Sequence, residues 1–114
     1  MKIGNDVIEV SRIQKACESE SFLKKVFFED EIIYATNSVT KFEHLAGMFA
    51  VKESVIKALE DGFIYDVEIK HKKNGAPYVV LHNKTKEIFE SKFKSIEVSI
   101  SHIKDLAFAV ALVY

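Results

Sequence analysis

Apolar residues along this chain alternate between a period of two and a period of three to four, the signature of strands interleaved with helices. Lys2 to Glu9, short and rich in Ile and Val, predicts a strand. Ser11 then predicts the cap of a helix from Arg12 to about Glu18, with Ile13 and Ala16 facing inward. Ser21 to Phe28 and Glu29 to Thr36 predict two further short helices, their apolar residues Phe22, Val26, Ile32 and Ile33 at loosely helical spacings. The clearest helix runs from about Thr40 to Glu60. Leu45, Phe49, Ile56 and Leu59 recur at helical steps, while Ala46, Ala50 and Ala58 permit close approach. Asp61-Gly62 predicts its stop, because glycine accepts the left-handed conformation that often ends helices. Strands follow at Asp66 to His71 and Tyr78 to His82, joined through Asn74-Gly75, a strong hairpin signal. Asn83 to Phe93 predicts a helix with Ile88 and Phe89 inward, and Ser95 to Ser101 and Leu106 to Tyr114 predict a last hairpin around Ile103-Lys104-Asp105. Two hairpins imply antiparallel pairing, so the expected class is α+β: an antiparallel sheet packed on a long helix.

Composition narrows the function. A chain of 114 residues with four Gly and one Pro leaves little room for linkers, so residues 1–114 are expected to form a single domain. Sixteen Lys and Arg balance seventeen Asp and Glu for a net charge of -1, which argues against a nucleic-acid binder relying on excess cations. One cysteine, Cys17, allows neither an internal disulfide nor a cysteine-rich zinc cluster. No apolar run approaches the ~20 residues of a membrane span, and Met1 to Asp6 lacks the apolar stretch of a signal peptide. The expectation is a cytoplasmic protein with no membrane and no nucleic-acid partner.

Three places carry candidate chemistry. Gly4-Asn5-Asp6 puts a carboxylate in a strand, where Asp is depleted; it reads either as a local turn or as a functional acid. Lys52-Glu53-Ser54-Val55-Ile56-Lys57-Ala58 places Glu53 and Lys57 four apart on one helix face. That pairing is either a solvated ion pair or, beside the small residues Ala46 and Gly47, part of a ligand site. Lys52 is angularly removed from Lys57, so the two lysines are placed to grip different parts of an extended anion. Ser99-Ile100-Ser101-His102 ends a strand in a histidine; Ser101 and His102 point to opposite faces, which argues against a serine triad. Together these residues contain the parts of a magnesium–phosphate site. Mg²⁺ typically takes one or two carboxylates, waters and substrate phosphates. Asp6 and Glu53 would supply the carboxylates, and Lys52, Lys57 and His102 would meet phosphate oxygens. No Gly-rich phosphate loop is present, which excludes an ordinary P-loop nucleotidase.

These blocks, in this order, resemble the holo-acyl-carrier-protein synthases, small 4′-phosphopantetheinyl transferases. Ile3-Gly4-Asn5-Asp6-Val7-Ile8 with downstream Arg12 is similar to the family's N-terminal block. Leu45-Ala46-Gly47-Met48-Phe49-Ala50-Val51-Lys52-Glu53-Ser54-Val55-Ile56-Lys57-Ala58 is similar to its signature helix, and Ser99 to His102 to its C-terminal block. The resemblance implies transfer of phosphopantetheine from coenzyme A to a carrier-protein serine, releasing adenosine 3′,5′-bisphosphate, with Mg²⁺ held by Asp6 and Glu53. It implies that Glu53 activates the serine, that Lys57 steadies the pyrophosphate, and that His102 and Lys52 hold phosphate or ribose groups. It also implies an acidic acyl carrier protein as partner, met by Arg12 with Lys15, Lys24 and Lys25, and a homotrimer whose active sites are shared between neighbours.

The chain departs from the family pattern at Met48, where an arginine is usual, at Gly75-Ala76-Pro77, where Gly-Lys-Pro is common, and in a short Leu59 to Tyr65 segment. Those departures leave a second expectation beside the enzyme: a weakened homologue that binds a carrier protein without transfer. A third is an unrelated interaction module in which Glu53 and Lys57 form only a surface ion pair.

Overall fold

The computed structural model describes residues 1–114. Strand β1 (Lys2–Glu9) leads into three short helices, α1 (Val10–Ala16), α2 (Glu20–Val26) and α3 (Glu29–Thr36). The long helix α4 (Lys41–Leu59) and a 3-10 turn (Ile64–Asp66) come next, followed by the hairpin of β2 (Val67–His71) and β3 (Pro77–Leu81). Helix α5 (Asn83–Lys92) and the hairpin of β4 (Ile96–His102) and β5 (Leu106–Val113) complete the chain. The strands form a three-stranded antiparallel sheet in the order β1-β5-β4 and a separate two-stranded β2-β3 sheet. This is the α+β arrangement expected, with the larger sheet laid on α4.

Alternation along β5 explains that packing. Ala107, Ala109, Ala111 and Val113 are all buried against α4, and three alanines in four inward positions let the helix axis approach the sheet closely. Ser54 fastens the contact: its hydroxyl donates to the Ala50 carbonyl at 2.7 Å and lies 3.2 Å from the Ala109 carbonyl. Gly4 brings β1 equally close, since a Cβ there would fall 2.7 Å from the Ala58 nitrogen and collide with the Ser54 carbonyl. Both obstacles are backbone, so no side-chain adjustment could make room. The close approach sets Asp6, two residues along the same face of β1, beside α4.

Several boundaries differ from the sequence expectation. Helix α1 begins one residue after Glu9, not at Ser11, and α2 is capped by the Ser19 hydroxyl, which accepts from the Phe22 N–H at 3.3 Å. Helix α4 ends at Leu59 with Glu60 as its left-handed cap at φ 61°, two residues before Gly62, whose φ is also positive at 102°. Ile33 is half exposed, while Glu31 on the same helix is buried. No helix is long and apolar enough to cross a membrane.

The sheet face turned away from α4 is apolar and open. Ile3 pairs with Leu112 and Val7 with Phe108 across the β1–β5 ladder, and Ile3, Val7, Leu106 and Phe108 are 40–69% exposed.

A carboxylate pair on the long helix and first strand

Asp6 and Glu53 converge where β1 crosses α4. The Lys57 ammonium donates to the Asp6 carboxylate at 3.2 Å and to the Asn5 carbonyl at 3.0 Å. It thus reaches across to β1 rather than pairing with Glu53, its neighbour one turn back. The Asp6 side chain is only 16% exposed, so its charge acts on its surroundings with limited screening. Glu53 registers this directly: partial burial and then the Asp6 charge push its carboxyl above its ordinary value, with Lys57 pulling the other way. A half-buried carboxyl raised by a second carboxylate is one that a cation would relieve.

That donor set suits Mg²⁺. No group of three or more His, Cys, Asp or Glu side chains is arranged so that it could hold a metal ion by itself, unlike the closed, fully protein-ligated donor set of a structural zinc centre. Two carboxylates that repel each other match the hard oxygen donors that Mg²⁺ takes alongside water and substrate phosphates.

His102 does not join this group. It ends β4, two strands from β1, a separation of about 10 Å in the hydrogen-bonding direction. There its Nδ1 lies 3.7 Å from the Glu43 carboxylate, and its ring sits 5.7 Å from that of His44. Glu43 and His44 belong to the first turn of α4, about 13–15 Å along the helix from Glu53.

Lys52 corrects the sequence expectation outright. Its side chain is fully buried and turned away from any ligand: the ammonium bonds both Glu31 carboxylate oxygens, at 2.9 and 3.0 Å, and the Val67 carbonyl. The Phe27 and Phe28 rings stand 5.6 and 5.3 Å from it. Glu31 in turn accepts the Phe28 and Ile69 N–H groups at 2.9 and 2.7 Å. Burial draws the lysine below its ordinary pKa, and Glu31 opposes that. This pair ties α3, α4 and β2 together; it is not a grip on an anion. The signal was present in the sequence, because Leu45, Met48, Lys52, Val55 and Leu59 step by three and four along one stripe. All four apolar members of that stripe are buried, and a lysine within it requires a buried carboxylate. Glu31, the residue that answers it, was missed because nothing in α3 marks it out from Glu29 and Asp30.

Arg12 and Lys15 on α1 and Lys24 and Lys25 on α2 are exposed. Lys24 is partly occupied by Glu20, 2.9 Å away. Arg12, Lys15 and Lys25 take part in no salt bridge.

Comparison with known proteins places this geometry in a family context. Residues 2–111 match the model of the 4′-phosphopantetheinyl transferase superfamily. A holo-[acyl-carrier-protein] synthase of Thermoanaerobacter sp. (strain X514) is 41% identical over 116 residues, covering 96% of this chain and 84% of that protein. One from Protochlamydia amoebophila is 43% identical over 115 residues, covering 95% and 94%. Among solved structures, the Helicobacter pylori holo-[acyl-carrier-protein] synthase in complex with coenzyme A superposes with TM-score 0.84 at 31% identity, covering 98% of this chain and 99% of that one.

Proposed function

The chain belongs to the 4′-phosphopantetheinyl transferase superfamily, and from that premise we infer how its residues carry the reaction. It is an enzyme that transfers the 4′-phosphopantetheine group from coenzyme A to a serine of an apo acyl carrier protein. The serine oxygen forms a bond to the phosphorus that bears the pantetheine. The bridging pyrophosphate bond breaks, adenosine 3′,5′-bisphosphate leaves, and the serine proton passes to a base.

The convergence of Asp6, Glu53 and Lys57 is the observation that carries the residue assignment. Asp6 and Glu53 would hold Mg²⁺. When bound, the metal supplies charge neutralisation to the pyrophosphate, worth several kcal/mol in a transition state with spread negative charge. Glu53 is our candidate acceptor of the serine proton, directly or through a metal-held water, because Lys57 bonds Asp6 and leaves the Glu53 carboxylate free of an ion pair. Lys57, held in place by Asp6 and the Asn5 carbonyl, presents its ammonium to the leaving pyrophosphate oxygens. His102 acts on coenzyme A from a neighbouring copy. Its distance from Asp6 within one chain supports a site shared between subunits, and the open apolar face of β1 and β5 supports self-association as the homotrimer. Cytoplasmic residence agrees with the absence of a membrane-crossing helix.

Incubating the protein with coenzyme A, Mg²⁺ and an apo-carrier, then weighing the carrier, tests the reading. One added phosphopantetheine arm, abolished by a chelator, is expected; binding of the carrier with no mass change would instead mark a protein that docks without transferring.

Arg12 is the contact proposed for the acidic carrier. Arg12→Glu is expected to raise the carrier KM roughly tenfold and leave the coenzyme A KM unchanged, since a rim charge mainly governs encounter. Steady-state kinetics with each substrate varied in turn checks this, and equal effects on both constants would remove the docking assignment.

A further inference from the structure

A cavity of about 500 Å³ opens at the C-terminal end of α2, inside the ~300–1,000 Å³ range of small-molecule sites. The end of α2 and its link into α3 supply Lys24, Lys25 and Phe28, the 3-10 turn supplies Tyr65, and the approach to α5 supplies His82. None of Asp6, Glu53, Lys57 or His102 lines it, and neither do the α1 cations Arg12 and Lys15.

Much of the wall is aromatic. Tyr65 is 41% exposed and stacks on Phe63, with centroids 5.1 Å apart and planes 14° from parallel. Phe63 does not itself line the cavity, so the stack steadies Tyr65 without closing the space beside it. The Phe28 and His82 rings pack at 5.1 Å and 35°, and the His82 Nε2 lies 2.8 Å from the Glu68 carboxylate, which fixes the imidazole. Phenol, phenyl and imidazole surfaces from three segments offer stacking area to a flat ring.

The charge available to a ligand is positive. Asp66 is the one carboxylate in the lining, and it is already satisfied. One of its oxygens accepts the Thr85 hydroxyl and N–H at 2.8 and 3.3 Å, the other the Asn83 side-chain amide at 3.3 Å. Lys25 takes part in no salt bridge. Lys24 pairs only with Glu20, at 2.9 Å on the open surface, and an exposed pair of that kind gives way to a better anion at little cost. Two ammonium groups beside stacking surfaces, with no unsatisfied acid among them, match an organic phosphate that carries a flat ring.

We propose that this cavity binds a nucleoside monophosphate, its base against Tyr65 and its phosphate at Lys24 and Lys25, as a site separate from the transfer centre. The assignment stands on the cavity alone and does not depend on the transfer activity.

NMR titration of AMP into the ¹⁵N-labelled protein, with excess coenzyme A and Mg²⁺ present to fill the transfer centre, tests this. The backbone signals of Lys25, Tyr65 and Asn83 should move together, with a dissociation constant below about 1 mM. Adenosine, which lacks the phosphate, and ribose 5-phosphate, which lacks the ring, should each bind about tenfold more weakly. Tyr65→Ala and Lys25→Glu are each expected to weaken AMP binding about tenfold, and both positions are exposed, so the fold should survive either change. No movement of those signals, movement unaltered by both substitutions, or ribose 5-phosphate binding as tightly as AMP would overturn the proposal. So would Lys25→Glu raising the carrier KM with AMP affinity intact, which would assign Lys25 to the carrier surface instead. AMP binding at these residues in a protein that never modifies a carrier would support the site and refute only the transfer reading; transfer without AMP binding would do the reverse.

Discussion

Glu53→Gln is expected to lower transfer turnover by about 10²–10⁴-fold, the range for losing a positioned general base, while the thermal midpoint stays level or rises. The amide keeps the shape of the side chain but neither takes a proton nor carries the charge a cation needs. The fold should not suffer, because partial burial and the Asp6 charge already disfavour ionised Glu53, and the neutral amide removes that repulsion. The sign for pH follows. Glu53 is raised in the folded state, so its ionised form costs stability at neutral pH and the cost fades as pH falls through the raised value. Activity runs the other way, with an acid limb in kcat that the variant lacks. Turnover rates and melting curves of the two proteins decide the matter; a variant transferring at the wild-type rate would remove Glu53 from the chemistry.

Lys52→Met is expected to be the most damaging single change to the fold, destabilising by about 3–5 kcal/mol because it strands a buried carboxylate. Glu31 would keep its Phe28 and Ile69 N–H donors but lose its counter-ion in a region with no solvent access. Adding Glu31→Gln should recover much of the loss, since the amide oxygen still accepts from backbone without a charge to satisfy. Urea unfolding measures both. Loss of coenzyme A affinity in a protein of undiminished stability would contradict the structural role.

How far the chain could be read in advance depended on how local each determinant was. β1 and α3 were legible to the residue, and the turn at Ile103-Lys104-Asp105 was read where β4 gives way to β5. Alternation, caps and turn residues are short-range signals. The start of α1 was misread because Ser11 is a good cap by type, yet Glu9, still extended, takes the cap position and the Val10 N–H is satisfied by the Asp105 carbonyl, 95 positions away in sequence. No local pattern encodes that partner. The same limit applies at the site. Asp6, Glu53 and Lys57 were singled out by residue type and spacing, but that Lys57 bonds to Asp6 rather than to Glu53 follows from Gly4 bringing β1 onto the helix backbone. Lys52 was read as an anion grip from its angular separation from Lys57 and then from the family resemblance, although its place among Leu45, Met48, Val55 and Leu59 marked it as a core position. The meeting of His102 with Glu43 and His44 was invisible for a different reason: β4 and α4 lie far apart along the chain.

At the centre of the account, Asp6 and Glu53 share one divalent cation. Titrating Mg²⁺ into the coenzyme A-loaded protein in two buffers of different ionisation enthalpy, at mildly acidic pH, tests this most directly. Because a cation favours ionised Glu53, protons should be released on binding, and the observed heat should differ between buffers by an amount that grows as pH is lowered. In Asp6→Asn both the affinity and the proton release should fall. Heats that are the same in both buffers, with Mg²⁺ affinity unchanged by Asp6→Asn, would contradict it.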